Sequence, residues 1–195
     1  MHESTIQRRD ELIDAAEKLF ADRGFLATSV RDIAEALDLQ PGSIYAHVES
    51  KDDLLWEIVS SAADHFFGAM RPIIASDLLN SEKLRRLIAA HVAVITSNLP
   101  AASVYSTEWR HLSEPRRREF AAKRDEYEQT VRGLIGDCIR DGTFAALDEK
   151  FATLLVLSSI NWLYQWYHPD GPMTPEEIAR KLTEMLFNGL RRAGP

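Results

Sequence analysis

A short polar segment in the first quarter of the chain groups side chains that suit contact with a polyanion. Gly42 lets a backbone approach closely, and the hydroxyl groups of Ser43 and Tyr45 can donate to phosphate oxygens. Gln40 carries an amide of the kind that reads an adenine edge. Lys51 falls in the expected first turn of a helix, where its ammonium and the free backbone N–H groups together favour phosphate. These residue types predict contacts with nucleic acid.

Net charge, taken alone, argues against that prediction. The chain of 195 residues has a formal charge of −7, and residues 1–55 hold six Lys and Arg against twelve Asp and Glu. Domains that bind nucleic acid usually carry a basic patch. The prediction therefore depends on local geometry, and a helical hairpin with a polar outer face would show the same pattern.

Two clusters in the rest of the chain have the composition of a ligand site. The segment 161–167 (NWLYQWY) places Trp162 and Trp166 on one helix face with Gln165 beside them. A second cluster, between residues 107 and 127, is the most basic part of the chain and could form an anion-binding rim; its candidates are Glu108, Trp109, Arg110, Arg117, Arg124 and Tyr127. Core or dimer contacts would explain the first cluster equally well, and a solvated helix face would explain the second.

Several classes of protein are excluded by what the sequence lacks. The six histidines (2, 47, 65, 91, 111 and 168) have no paired metal-ligand spacing, and neither a nucleophile motif nor a glycine-rich phosphate loop is present. We therefore expect no enzyme, no cofactor and no metal site. A single cysteine fits a reducing cytoplasm. The chain has no apolar N-terminal run and no long apolar stretch, so we expect neither a signal peptide nor a membrane segment.

The elements that must position these residues are helices. Nearly every segment has helical periodicity and none has a convincing strand pattern, so we predict an all-α fold of nine helices. A helix over 6–23 is followed by one that Ser29 and Asp32 would start as a capping box. A third, short helix begins at Gln40–Pro41, and Ser50 with Asp53 would cap a fourth that ends near Pro72.

Five further helices are expected near 80–98, 101–112, 114–141, 148–168 and 174–192. The last two carry more leucine and methionine than one bundle face needs, which predicts a dimer interface. The residues concerned are Leu154, Leu155, Leu157, Leu163, Leu182, Met185, Leu186 and Leu190. We predict one domain over residues 1–55 and a second over 56–195.

The run from Ser29 to Val48 contains every part of a helix-turn-helix. Ile33, Ala34 and Leu37 give the supporting helix a small inner face, and a tight turn follows at Asp38. Leu39 and Ile44 would hold the short third helix on the core. Its outward residues would then be Gln40, Pro41, Gly42, Ser43, Tyr45 and His47.

Residues 19–55 resemble the N-terminal signature of TetR-family repressors, notably in Thr28-Ser29-Val30, Gly42-Ser43-Ile44-Tyr45 and Ser50-Lys51-Asp52-Asp53. The resemblance implies a homodimer that binds a palindromic operator in double-stranded DNA. It adds Thr28, Ser29 and Arg31 to the candidate DNA contacts. The chain departs from the family with Asp38 in place of glycine and with Val48 in place of phenylalanine. Because aspartate tolerates the left-handed conformation, we expect the turn to be kept.

The segment from Asn161 to Ala179, with the turn at residues 141–144, resembles the body of TetR-family repressors that sense acyl-coenzyme A thioesters. That implies an acyl group among Tyr105, Trp109, Trp162 and Trp166, and CoA phosphates near the arginines. The departures are Gln165 and His168, where related sequences often carry arginine. A regulator of efflux genes that senses a lipophilic aromatic or cationic compound is the alternative.

Overall fold

The computed structural model describes the backbone of residues 2–190 and the side chains of residues 8–40 and 42–189. It consists of α-helices with one 3-10 turn, at Glu108–His111, and no strand is present in these residues. The helices are α1 (His2–Arg23), α2 (Val30–Ala36), α3 (Pro41–Ile44), α4 (Lys51–Ile74), α5 (Asn80–Ser97), α6 (Leu99–Thr107), α7 (Glu114–Arg140), α8 (Glu149–Asn161), α9 (Leu163–Trp166) and α10 (Pro175–Leu190).

The predicted all-α fold is confirmed, with two local differences. The sixth predicted helix ends as α6 and continues as the 3-10 turn, and the eighth is interrupted at Trp162, which separates α8 from α9. Helix α4 includes Pro72 and ends two residues beyond it. The predicted end near Pro72 and the observed end at Ile74 therefore agree within one turn, which is the usual uncertainty of a helix boundary.

Local capping explains where several helices begin. The Ser29 hydroxyl oxygen accepts from the Asp32 backbone N–H at 3.2 Å, and the Asp32 carboxylate accepts from the Ser29 N–H at 2.6 Å, which completes the predicted capping box. The same reciprocal pair joins Thr174 and Glu177 before α10. Asp38 has φ of +53°, so the turn before α3 keeps the left-handed conformation expected of it.

The helices divide into two compact units by packing. The first contains the residues up to Ala63 together with Leu99–Ala121. Within it α1 packs on α6, and α2 contacts both α1 and α3. Its core side chains include Leu12, Ala16, Phe20, Ile33, Ala34, Ile44, Leu54, Leu55, Val104 and Phe120. The predicted domain boundary at residue 55 remains a prediction, since this division follows packing and not independent folding.

The second unit contains Asp64–Asn98 and the chain from Ala122 onward. Helix α10 packs along α5, and α5 also contacts α8 and α9. The core includes Leu84, Ile88, Val92, Val131, Ile135, Val156, Ile160, Leu163 and Phe187. Cys138 is fully buried there, and burial, with the nearby charges of Asp141 and Asp137, raises the pKa of its thiol to about 12. It is therefore an inert packing residue.

No single helix among residues 2–190 is long and apolar enough to cross a membrane, although the consecutive segments Asn80–Ser97 and Leu99–His111 pass that test when taken together. Across the same residues, no three His, Cys, Asp or Glu side chains are grouped so that they could hold a metal ion.

Candidate nucleic-acid interface and ligand-binding residues

Helix α3 presents a polar face to solvent. Ile44 is fully buried and fixes the short helix on the core, while Gln40, Gly42, Ser43 and Tyr45 are exposed. The Tyr45 side chain is 59% exposed, a large fraction for an aromatic residue. The Ser43 hydroxyl donates to the Gln40 carbonyl at 2.6 Å, so its oxygen stays close to the backbone. These four residues lie together as the sequence predicted.

The other candidate DNA contacts differ in accessibility. Arg31 is exposed on α2, and Ser29 is exposed but engaged in the cap. Pro41 begins α3, and its side chain lies outside the described residues. His47 is half-buried, and its Nδ1 is enclosed without a hydrogen-bond partner among the described residues. Among these candidates Arg31 is therefore the accessible cation.

Thr28 and Lys51 do not form part of that face. Thr28 is buried, and its hydroxyl donates to the Gly24 carbonyl at 2.9 Å. The Lys51 ammonium donates to the carbonyls of Phe25 and Thr28 at 2.6 and 2.7 Å, and it lies 4.0 Å from the centre of the Phe25 ring. Burial lowers the pKa of Lys51, against the opposite effect of Asp32. In this structure the Lys51 ammonium therefore holds the turn between α1 and α2, and its predicted phosphate contact stays a prediction.

Glu108, one of the predicted ligand residues, contacts this same turn. Its Oε2 accepts from the Phe25 backbone N–H at 2.8 Å, and its Oε1 accepts from the Thr107 hydroxyl at 2.9 Å. The His111 ring stacks on the Phe25 ring with centroids 5.9 Å apart. The carboxylate thus satisfies a backbone donor in the Gly24–Thr28 turn, where Gly24 has φ of +85°.

Ion pairs and a backbone hydrogen bond connect the first turn of α4 with the start of α7. Arg116 donates to Asp52 and to Asp53 at 2.5 Å each, and the Ser113 backbone N–H donates to Asp52 at 2.8 Å. Burial alone would raise the pKa of the Asp53 carboxyl, but hydrogen bonds from Arg116 and Ser50 hold it below its usual value. Both carboxylates therefore pair with Arg116 inside the first unit.

In the second unit, three hydrogen-bonded polar side chains connect α5, α7 and the end of α8. His91 of α5 is 4% exposed; its Nδ1 lies 2.9 Å from the Tyr127 hydroxyl of α7, and its Nε2 lies 2.9 Å from Oδ1 of Asn161 at the end of α8. Phe66 of α4 lies against the imidazole, with ring centroids 4.5 Å apart. Burial lowers the pKa of His91 to about 4, so the ring is neutral near neutral pH.

Which of these three side chains donates each hydrogen bond follows from the chemistry of Asn161 and Tyr127. Oδ1 of an amide only accepts, so Nε2 of His91 carries the proton and donates to Asn161. Nδ1 of the neutral ring must then accept from the Tyr127 hydroxyl. The sequence proposed Tyr127 for ligand binding but gave no indication of His91 as its partner, since 36 residues separate them.

The predicted ligand residues divide equally between the two units. Tyr105, Glu108, Trp109, Arg110 and Arg117 belong to the first; Arg124, Tyr127, Trp162, Gln165 and Trp166 belong to the second. In the first, Tyr105 and Trp109 both pack against the Phe120 ring. In the second, Trp162 is 59% exposed, and Trp166 lines a cavity of about 70 Å³ with Tyr167, His168 and Met173.

The predicted arginine-rich rim is less available than the sequence indicated. Arg117 pairs with Glu114, and Arg118 lies 3.5 Å from the same carboxylate. Arg110 is exposed and stacks over Trp109 at 4.8 Å from the ring centre. A phosphate that used Arg117 would have to compete with an existing ion pair, so Arg110 is the better candidate on accessibility.

An apolar stripe on α8 and α10 is exposed. Phe151, Leu154 and Leu155 of α8 lie one turn apart on one face, and Met185 of α10 is 74% exposed. Two residues predicted for the dimer interface, Leu163 and Leu186, are instead buried inside the unit, and the Leu190 side chain lies outside the described residues. We call Phe151, Leu154, Leu155 and Met185 the apolar stripe.

Comparisons with known proteins identify a family for both the N-terminal and the C-terminal part of the chain. Residues 12–58 match the family model "Bacterial regulatory proteins, tetR family", and residues 77–190 match "Tetracyclin repressor-like, C-terminal domain". The chain is 32% identical over 185 residues to the HTH-type transcriptional repressor KstR2 of Rhodococcus jostii, which covers 94% of this chain and 91% of that one.

Solved structures give the same result. The ketosteroid transcriptional regulator KstR2 of Mycobacterium tuberculosis superposes with a TM-score of 0.90 at 27% identity, covering 95% of this chain and 96% of that one. AibR, solved with isovaleryl coenzyme A and operator DNA, has a TM-score of 0.83 at 24% identity, covering 92% and 98%, which shows a shared fold. These relatives are regulators of transcription and not enzymes. The chain belongs to the TetR family of bacterial transcriptional regulators.

Proposed function

We propose that this protein is a homodimeric repressor of lipid-breakdown genes that binds a palindromic operator in the cytoplasm and is released by an acyl-coenzyme A thioester. The observation that carries the DNA-binding part is the exposed face of α3: Ser43 lies on a four-residue helix that buried Ile44 fixes, and exposed Gln40 and Tyr45 flank that helix. A short helix held in this way can enter the major groove with its side chains against base edges.

Operator binding is tested by fluorescence anisotropy with duplexes from the region upstream of the gene. Gln40→Ala should relax base preference at one position of each half-site by about 1–3 kcal/mol. Tyr45→Phe removes only a hydroxyl and should weaken binding uniformly across sequences. The control is Tyr164→Phe, far along the chain in α9. Affinity and base preference unchanged in both α3 variants would show that α3 is not the reading helix.

The dimer is supported by the apolar stripe. Exposed contiguous apolar side chains of this kind usually mark an interface, and a second copy of the same face is the simplest closed partner. Phe151→Glu should convert the protein to monomers in size-exclusion chromatography with light scattering. Leu79→Glu changes a highly exposed leucine outside the apolar stripe and should leave the dimer intact. A Phe151→Glu dimer at low micromolar concentration would contradict the assignment.

The acyl-coenzyme A effector is supported by the relatives and by the body's aromatic residues. AibR was solved with an acyl-CoA, and its fold matches 92% of this chain. Trp162 and Trp166 are both more exposed than core tryptophans, which leaves aromatic surface for an acyl group. A small number of polar groups on an apolar surface is the usual composition of such sites.

Thermal shift separates this effector from the efflux-type alternative. A ligand at 100 times its dissociation constant stabilises the folded state by about 2.7 kcal/mol, which corresponds to a rise of about 5–10 °C for a chain of this size. Long-chain and ring-containing acyl-CoAs should give that rise and release operator DNA, whereas free coenzyme A should not. A rise with lipophilic cations alone would reject the acyl-CoA proposal in favour of an efflux regulator.

A further inference from the structure

The buried chain of Tyr127, His91 and Asn161 ends in an amide group that is not used by the protein. Oδ1 of Asn161 accepts a hydrogen bond from His91, and Nδ2 donates to no acceptor among the described residues. The residue is half-buried, so this group lies at the edge of accessible space. An amide nitrogen offers two N–H donors, so this group can bond to an acceptor that comes from outside the protein.

The position of Asn161 in the fold gives that donor an aromatic neighbourhood. Helix α8 ends at Asn161, and Trp162 interrupts the helical path before α9 begins. Trp162 is mostly exposed and meets Tyr164 edge to face, with centroids 6.1 Å apart. A fixed donor next to exposed aromatic rings is what recognises an apolar ligand that carries one acceptor oxygen.

Two other polar side chains of this unit that the structure describes as buried, Thr153 and Thr183, each donate to a carbonyl one turn earlier in the same helix. His91 alone among the described buried residues takes partners from two other helices. Because Nε2 of His91 holds Oδ1, the amide is fixed in one orientation with its Nδ2 left for another acceptor.

We propose that Asn161 is a binding residue for the effector and donates from Nδ2 to a carbonyl oxygen on its acyl portion, with His91 and Tyr127 as positioning residues. The proposal rests on the acyl-CoA function above and names a polar contact within it. Two oxygens have the required chemistry: the thioester carbonyl, which every acyl-CoA has, and an oxo group on the acyl chain or ring.

Calorimetry with two ligand pairs distinguishes these oxygens. The first pair is an acyl-CoA and its thioether analogue, which lacks the thioester carbonyl; the second is an oxo-acyl-CoA and the same skeleton without the oxo group. The wild-type protein should bind the carbonyl-containing member of one pair about tenfold to a hundredfold more tightly. Equal affinity within both pairs would overturn the proposal.

Asn161→Asp is the informative variant because it keeps an acceptor for His91 and removes the free donor. The preference within the responsive pair should fall to near unity, while the affinity for the carbonyl-lacking member stays within about threefold. Thr153→Val, a buried polar deletion in the same helix, should keep the preference. A preference that persists in Asn161→Asp would overturn the proposal. If the wild-type protein binds none of the four ligands, the acyl-CoA function itself fails, and this contact fails with it.

A measurement on the unaltered protein covers the case in which the variant does not fold. The chain has four asparagines, at 80, 98, 161 and 188, so selective ¹⁵N-asparagine labelling gives four side-chain amide pairs in a correlation spectrum. The Asn161 pair is identified by a conservative Asn161→Gln variant or, failing that, by exclusion from variants of the other three. It should shift downfield with the carbonyl-containing ligand and not with its partner; no difference between the two would overturn the proposal.

Discussion

Acidification should destabilise this protein through His91. The imidazole is buried between α5, α7 and α8, and burial lowers its pKa from 6.5 to about 4. In the unfolded chain the ring regains its ordinary pKa, so the unfolded state binds a proton that the native state refuses. The contribution of the neutral ring is fully present above the unfolded pKa of 6.5 and is lost as the pH falls toward 4.

The size of the loss follows from the two values. A difference of 2.5 pKa units, from 6.5 to 4, corresponds to about 3 kcal/mol once both limits are passed. At about pH 5 the unfolded ring is almost fully protonated and the native ring about one-tenth protonated, which gives about 2 kcal/mol. Burial is the main cause, and the hydrogen bond to Asn161 acts weakly in the opposite direction.

Urea unfolding at about pH 7.5 and about pH 5 measures this contribution, at one protein concentration so that association does not change between samples. The wild-type protein should lose about 2 kcal/mol more than His91→Gln over this interval. His65→Gln removes an exposed histidine of α4 and should behave like the wild type. Equal losses in wild type and His91→Gln would refute the assignment of a neutral, enclosed imidazole.

Three substitutions in the first unit follow from its hydrogen bonds. Lys51→Met should lower the free energy of unfolding by about 2 kcal/mol because two carbonyls lose a charged donor, whereas Arg31→Met should leave it unchanged. Equal urea midpoints for the two variants would contradict the role of Lys51 in holding the turn between α1 and α2. Ser29→Ala should cost about 1 kcal/mol in the same assay, and no change would mean that the α2 cap is dispensable. Arg116→Met should cost about 1 kcal/mol, and a similar loss in the exposed control Arg118→Met would reject the specific pairing.

The parts of the fold that the sequence predicted are those that depend on near neighbours. A capping box joins residues three apart, so Ser29 and Asp32 identify the start of α2 by themselves. Asp38 replaces the glycine expected at the turn and still adopts φ of +53° because its short side chain tolerates that conformation. The exposed face of α3 follows from the buried position of Ile44 in a four-residue helix.

The contacts that the sequence did not predict are made by side chains whose partners are distant in sequence. Lys51 reaches back 26 residues to the Phe25 carbonyl, and Glu108 reaches 83 residues to the Phe25 N–H. Nothing in the local pattern distinguishes these charges from ones that meet phosphate or ligand. His91 was missed for the same reason: a lone histidine on an apolar helix face shows neither of its partners until α7 and α8 are packed against it.

Contacts inside the first unit bear on the conflict between an acidic head and a DNA-binding function. Several of the acids counted in the first 55 residues have partners inside the protein: Asp32 caps α2, and Asp52 and Asp53 both pair with Arg116. Charge committed to an internal ion pair adds little to the field at a phosphate a Debye length away. The exposed residues on and next to α3 carry hydroxyl, amide and backbone groups, and Arg31 of α2 is exposed. Short-range hydrogen bonds from such groups fix a protein on DNA, so we expect operator binding to depend on them more than on the net charge of the head.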